Sequence, residues 1–181
     1  LREISLHILD LIENAIRAGA TVIAVAVEEE PDRDMMCVVV EDNGPGLTVP
    51  AEIAADPFFT TKEGKSMGLG LSLLKFRTEQ AGGSFRMERS CLGGVAVRAV
   101  MPLSNVDRSP LGDLAATLAS VVCTSPGIEL RSRLRVGERE WRVSTAEIVR
   151  ALPVGARSEI AVARRVKERI AEGLSALHVS G

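Results

Sequence analysis

The sequence contains no tyrosine, one tryptophan at Trp141 and an aromatic fraction of only 3%. Stacking of bases on aromatic platforms, the common device for holding single strands, is therefore a poor reading. Histidine is nearly absent too, at His7 and His178, and the three cysteines, Cys37, Cys91 and Cys123, have no short metal-ligand spacing. No apolar run approaches membrane-spanning length and no secretory signal is visible, so the expectation is a reducing, cytoplasmic setting with no membrane segment. Neither sign of charge dominates: 22 Lys and Arg stand against 24 Asp and Glu, a net charge of -2. That balance gives no bulk argument for nucleic acid or for an anionic membrane. No GxxxxGK[ST] occurs, which excludes a Walker-type phosphate loop. The chain opens on Leu1 rather than Met, so targeting information upstream stays open.

What is present is an ordinary globular composition, 46% hydrophobic and 25% charged over 181 residues. That is enough for one good core and a small appendage. Residues 35–40 are apolar and rich in β-branched side chains, and read as a buried strand. The strand breaks at Glu41-Asp42-Asn43-Gly44-Pro45-Gly46, which places the Asp42 carboxylate at its end. A carboxylate there can accept from an exocyclic amine, while Gly44 and Gly46 let the backbone approach a ligand. The same letters also spell a simple turn.

Upstream, Ile4, Ile8, Leu11, Ile12 and Ala15 recur at helical spacing over residues 4–18, and Gly19 supplies a stop. His7, Asp10, Asn14 and Arg17 form a second stripe at offsets of three and four, so they can meet one ligand above one face. An ordinary surface helix has this pattern as well. Residues 21–28 read as a strand whose acidic end, Glu28 to Glu30, is a solvated terminus; the turn at 31–34 makes an antiparallel hairpin with 35–41.

Past the glycines, residues 48–55 read as a short helix with Thr48 as a cap. Residues 56–70, DPFFTTKEGKSMGLG, mix paired aromatics, hydroxyls, two lysines and glycines without a period, and read as a hinged loop. Helical character resumes over 69–80, which puts the Gly68, Leu69 and Gly70 amides at a helix start suited to phosphate oxygens. Residues 84–88 and 94–101 read as strands around a turn at 90–93 and complete a four-stranded sheet ending at Pro102. After a linker at 104–110 come a helix over 111–123, a hairpin of 128–136 with 140–143, and helices over 145–152 and 158–177. Arg131, Arg133 and Arg135 share one strand face, either an anion or partner surface or a solvated face. Trp141 reads as a packing residue, and Cys37 and Cys91, in strand-like segments, read as buried thiols.

The ordered set resembles the Bergerat-fold ATPase superfamily of gyrase-type topoisomerases, Hsp90 chaperones, histidine kinases and MutL mismatch-repair proteins. DLIEN at 10–14 looks like the N box, DNGPG at 42–46 like the first glycine box and GLG at 68–70 like the second. DPFFTTK followed by GLGLSLLK, and the strand beginning at Gly93-Gly94, are similar to the histidine-kinase branch. The resemblance covers about residues 1–102. It implies an α+β fold, a two-layer α/β sandwich, with residues 1–102 as the ATPase domain and 103–181 as a small C-terminal α/β appendage. Its ligands would be ATP and Mg2+. By the same resemblance Asn14 would bind the metal, Asp42 would accept from the adenine amine, and Gly44 and Gly46 would pass beside the base. Gly68, Leu69 and Gly70 would fold over the phosphates, Lys62 or Lys65 would offset their charge, and Thr60 and Thr61 would belong to the lid.

Asp10 is the catalytic candidate. It stands where gyrase-like hydrolases and serine-kinase anti-sigma factors place Glu as general base and many histidine kinases place Asn; Asp is one methylene shorter than Glu. Glu13 would hold metal-linked water or face solvent, and His7, inside the ATP helix, is a poor phosphoacceptor. A wider similarity, including NVDRSPLGD at 105–113, is to small stand-alone ATPases of anaerobic bacteria encoded beside iron-only hydrogenase components. The implied function is a Mg-dependent ATP-binding regulatory protein that phosphorylates a protein partner or hydrolyses ATP slowly; the alternative is a non-enzymatic ATP-controlled binding module. A signalling or hydrogenase-maturation protein is the implied partner, and a homodimer is an open arrangement. A DNA-repair or topoisomerase fragment is the third reading, disfavoured because residues 103–181 carry no strong basic footprint.

Overall fold

The computed structural model describes residues 3–47 and 69–181. Strand β1 (Val22–Glu30) alternates strictly between half-buried and buried positions, so one face carries Ile23, Val25, Val27 and Glu29 into the interior. A short 3-10 turn, Pro31–Arg33, ends on Asp34 at φ 51 and leads into β2 (Met35–Asp42). The hairpin is antiparallel, as its β-branched and turn-forming residues predict. Strands β3 (Ser84–Arg89) and β4 (Val95–Pro102) extend it antiparallel beyond β2.

The sheet then grows on its other side from residues beyond Pro102. Strand β5 (Glu129–Val136) pairs in parallel with β1, and β6 (Arg139–Ser144) closes the edge antiparallel to β5. The order among the described residues is β3-β4-β2-β1-β5-β6, six strands in one sheet rather than the four expected up to Pro102. A parallel neighbour needs a crossover connection, and the helix before β5 supplies it.

Helices α1 (Ile4–Arg17), α2 (Leu69–Gln80), α3 (Leu114–Thr124) and α5 (Glu159–Leu177) form a layer over one sheet face; α4 (Thr145–Ala151) follows β6 directly and packs on β5, β6 and α5. In α1, Ile4, Ile8 and Ile12 are essentially inaccessible. Burial of such side chains stabilises the fold by about 1.5–3 kcal/mol each before entropic costs. The first N–H groups of α1 have no intrahelical acceptors. Those of Ile4 and Ser5 donate to the Pro110 and Leu111 carbonyls at 2.9 Å, so the segment after β4 caps α1. Asp113 and Ser158 cap α3 and α5 with their own side chains.

Trp141 packs as expected, its ring against Gly173, its N–H donating to the Arg169 carbonyl and the Arg169 guanidinium 4.4 Å over the ring. Cys37 is buried, but Cys91 is not: it lies exposed in the β3–β4 turn, which takes it out of the strands. His178 is exposed at the left-handed C-cap of α5. Among the described residues no helix is long and apolar enough to cross a membrane.

Candidate functional site

Asp42 is the last residue of β2 and shares its parity with Met36, Val38 and Val40, which enter the helix-side core. Its carboxylate therefore leaves the sheet on the side that α1 covers. Oδ1 accepts from the Gly44 N–H at 2.7 Å and, more weakly, from the Val95 N–H at 3.4 Å. Oδ2 takes no hydrogen bond from the described residues and remains an acceptor. Gly46 turns the chain at φ 83, and Gly44 sits 3.7 Å from the Ala20 Cβ, measured from the position its own Cβ would take.

Two residues that the motifs contain but give no role, Asn43 and Gly94, fasten this turn. Asn43 Oδ1 accepts from the Thr21 and Val22 N–H groups, both at 2.8 Å, and its Nδ2 donates to Thr21 Oγ1 at 3.0 Å. The glycine turn is thereby tied to the segment leaving α1. From the other side, the Gly94 N–H donates to the Asp42 carbonyl at 3.0 Å. Gly94 has no room for a side chain, since a Cβ there would lie 2.6 Å from the Gly44 nitrogen and 2.7 Å from the Asp42 carbonyl oxygen. The Gly93-Gly94 pair is visible in the sequence, but the carboxylate it lies against belongs to a strand far earlier in the chain.

On α1, Asp10 and Asn14 are half-buried and share one face, while Glu13 is exposed and His7 is 1% exposed, packed inside. Arg17 reaches back one turn and donates to Asn14 Oδ1. That amide oxygen therefore already faces a cation. Asp10 meets the start of α2: a Cβ on Gly70 would stand 2.6 Å from Asp10 Oδ2, so only glycine allows this approach. The N-terminal end of α2 thus packs against the polar face of α1. The expected positions Thr60, Thr61, Lys62, Lys65 and Gly68, and the short helix over 48–55, lie outside the described residues; Leu69 is the first residue of α2.

Mg2+ prefers oxygen ligands and retains water and substrate phosphates rather than an all-protein cage. Among the described residues no group of three or more His, Cys, Asp or Glu could hold a metal. One amide oxygen at Asn14 fits the lighter role, and the open oxygen of Asp42 fits an amine donor.

The fold and these residues define a two-layer ATP-binding sandwich. A family model described as "Histidine kinase-, DNA gyrase B-, and HSP90-like ATPase" matches residues 2–105, and the chain belongs to that family. Sensor protein CitS of Halalkalibacterium halodurans is 39% identical over 66 residues, 35% of this chain and 12% of that protein. The ATP binding domain of PrrB from Mycobacterium tuberculosis is 27% identical with a TM-score of 0.42, covering 54% of this chain and 64% of that one. The catalytic domain of histidine kinase ThkA, in a nucleotide free form, is 29% identical with a TM-score of 0.43, covering 55% and 65%. An N terminal domain of a DNA repair protein shares the fold at 12% identity and a TM-score of 0.51, covering 79% and 52%. The chain therefore spans about an eighth of the sensor protein and less than two thirds of each solved chain.

Proposed function

We propose that the chain is a Mg-dependent, ATP-binding regulatory protein that passes a phosphoryl group to a protein partner or hydrolyses ATP slowly. The observation that supports this best is the meeting of Asp10 with Gly70, which joins the polar face of α1 to the start of α2. Asp42 Oδ2 accepts from the adenine amine, and the turn held by Asn43 and Gly94 keeps that oxygen in place. Asn14 Oδ1, which here accepts from Arg17, would hold the metal. Bound Mg2+ would offset phosphate charge. Asp10 orients the attacking water or hydroxyl and takes its proton.

A second reading, an ATP-controlled binding module without chemistry, rests on the side chain of Asp10, which is one methylene shorter than Glu and so has less reach toward an attacking water. Nucleotide would then act by shifting the population of a partner-binding form. The acceptor or partner is a signalling protein, with hydrogenase-maturation proteins as the first to try.

Incubation with γ-labelled ATP and Mg2+, with and without such a protein, separates the outcomes. Free phosphate shows hydrolysis, labelled partner shows transfer, and intact ATP with saturable binding shows the module. Failure of both ATP and ADP to bind at millimolar concentration sinks both readings.

A further inference from the structure

The sheet face turned away from α1 and the glycine turn carries a groove of about 540 Å3. The register sets one row across all six strands of this face: Arg86, outside the groove, opposite Arg98, then Val39, Ala26, Arg133 and Arg142, which line the groove with Arg98. Two arginine pairs, each directly cross-strand, thus flank a small apolar centre. Like charges placed directly opposite on a sheet are unfavourable unless acids compensate them. At one end they do, since Arg133 and Arg142 both bind Glu140, and Arg133 also binds Glu28. At the other end Arg86 and Arg98 have no carboxylate partner among the described residues. Among the described residues Arg98 donates to the Cys37 thiol at 3.0 Å, while Oε2 of the nearby Glu41 accepts from Ser90 and Cys91.

We propose that this face docks an acidic segment of a protein partner, with carboxylates replacing the missing counter-charge at Arg86 and Arg98 and small side chains resting on Val39 and Ala26. Arg98 and Arg133 are three strand spacings apart, about 14 Å. That span exceeds one phosphate or one small dicarboxylate and suits a polypeptide. Docking here leaves the nucleotide cleft free, because the two lie on opposite faces of the sheet.

The test uses the full chain and a fluorescein-labelled peptide of Glu, Ala and Leu long enough to span the row, followed by anisotropy at low salt. Wild type binds saturably, and Arg86→Glu with Arg98→Glu weakens binding by about tenfold or more. The same charge change on the exposed face of α5, Arg164→Glu with Lys167→Glu, leaves it within about twofold. ATP affinity is unchanged in both, which separates this surface from the nucleotide reading. Arg86→Gln with Arg98→Gln, which keeps the side-chain stems, gives the same loss if charge reversal disturbs folding, with circular dichroism reporting the fold. The proposal is overturned if wild type shows no binding, if the α5 variant loses as much, or if an oligothymidylate of equal charge binds more tightly than the peptide.

Discussion

Gly94 and Asp42 are packed so closely that the Asp42 backbone occupies space a side chain on Gly94 would need. The Gly94 N–H holds the Asp42 carbonyl at 3.0 Å, and a Cβ at Gly94 would come within 2.7 Å of that same oxygen. The end of β2 and the start of β4 are thereby fixed together. Gly94→Ala has to push one of them away, because the nearest backbone atoms have no rotamer to change. We expect a loss of about 1–3 kcal/mol in unfolding free energy, typical of an overpacked site, and a weaker ATP affinity in the folded fraction. Urea titration and calorimetry measure the two; unchanged ATP affinity would show that Asp42 is not positioned by this contact.

Asn43 holds the same turn from the α1 side with three side-chain hydrogen bonds. Asn43→Ala leaves the Thr21 and Val22 N–H groups without their acceptor. The cost expected is roughly 1–2 kcal/mol, moderated because water reaches Thr21. Asn43→Asp keeps the acceptor, lets the Thr21 hydroxyl donate to its second oxygen in place of accepting from the amide, and should recover most of the stability in the same titration.

Asp42 and Asn14 address different ends of the proposed nucleotide. Asp42→Asn replaces one acceptor oxygen by a donor, so it should weaken ATP and ADP alike, with or without Mg2+. Asn14→Ala should leave metal-free binding nearly intact and remove the increment that Mg2+ adds. Calorimetry with and without EDTA reads both differences, and identical losses in all four titrations would count against the assignment.

The period of buried residues carried much of the fold to the reader of the sequence. The α1 stripe, the strand before Asp42 and the resumption of helix at Leu69 are all local patterns, and the structure places α1 at Ile4–Arg17 and α2 at Leu69–Gln80. Pairing is not local. The acidic run Glu28 to Glu30 and the arginine stripe of residues 131–135 each look like a solvated face, yet Glu28 lies opposite Arg135 and binds both Arg133 and Arg135. A period of two assigns a face but never names the neighbour. For the same reason roles for Asn14 and Asp42 could be proposed from motifs, whereas Asn43 and Gly94, though inside quoted motifs, act through partners distant in sequence that no motif names.

Cys91 and Cys37 should differ in reactivity. Cys91 is exposed and donates to the Glu41 carboxylate at 3.4 Å; that hydrogen bond and the carboxylate charge push its thiol up from the ordinary value. Cys37 is buried, and burial raises its pKa as well. A thiol-disulfide reagent at mildly alkaline pH should label Cys91 in the native chain and Cys37 only after unfolding. Glu41→Gln removes the charge, so Cys91 should become more thiolate-rich and label faster. Mass spectrometry of the labelled peptides gives the order.

Asp34 provides a pH signature away from the cleft. The Ser104 hydroxyl donates to its Oδ2 at 2.6 Å and the Ser104 N–H to its Oδ1 at 2.8 Å, which holds the carboxyl below its ordinary value. A depressed folded-state pKa adds stability above the unfolded value, near pH 4 for aspartate, and that contribution disappears as pH falls through the folded pKa. Asp34→Asn is close to isosteric, and asparagine accepts the same left-handed backbone at φ 51. Wild type should therefore unfold at a higher temperature than Asp34→Asn at neutral pH, with the gap closing as pH falls below the unfolded value and through the folded one. The group is exposed, so the gap should be small, and a gap that persisted unchanged in acid would mean that the carboxylate charge is not what ties Asp34 to Ser104.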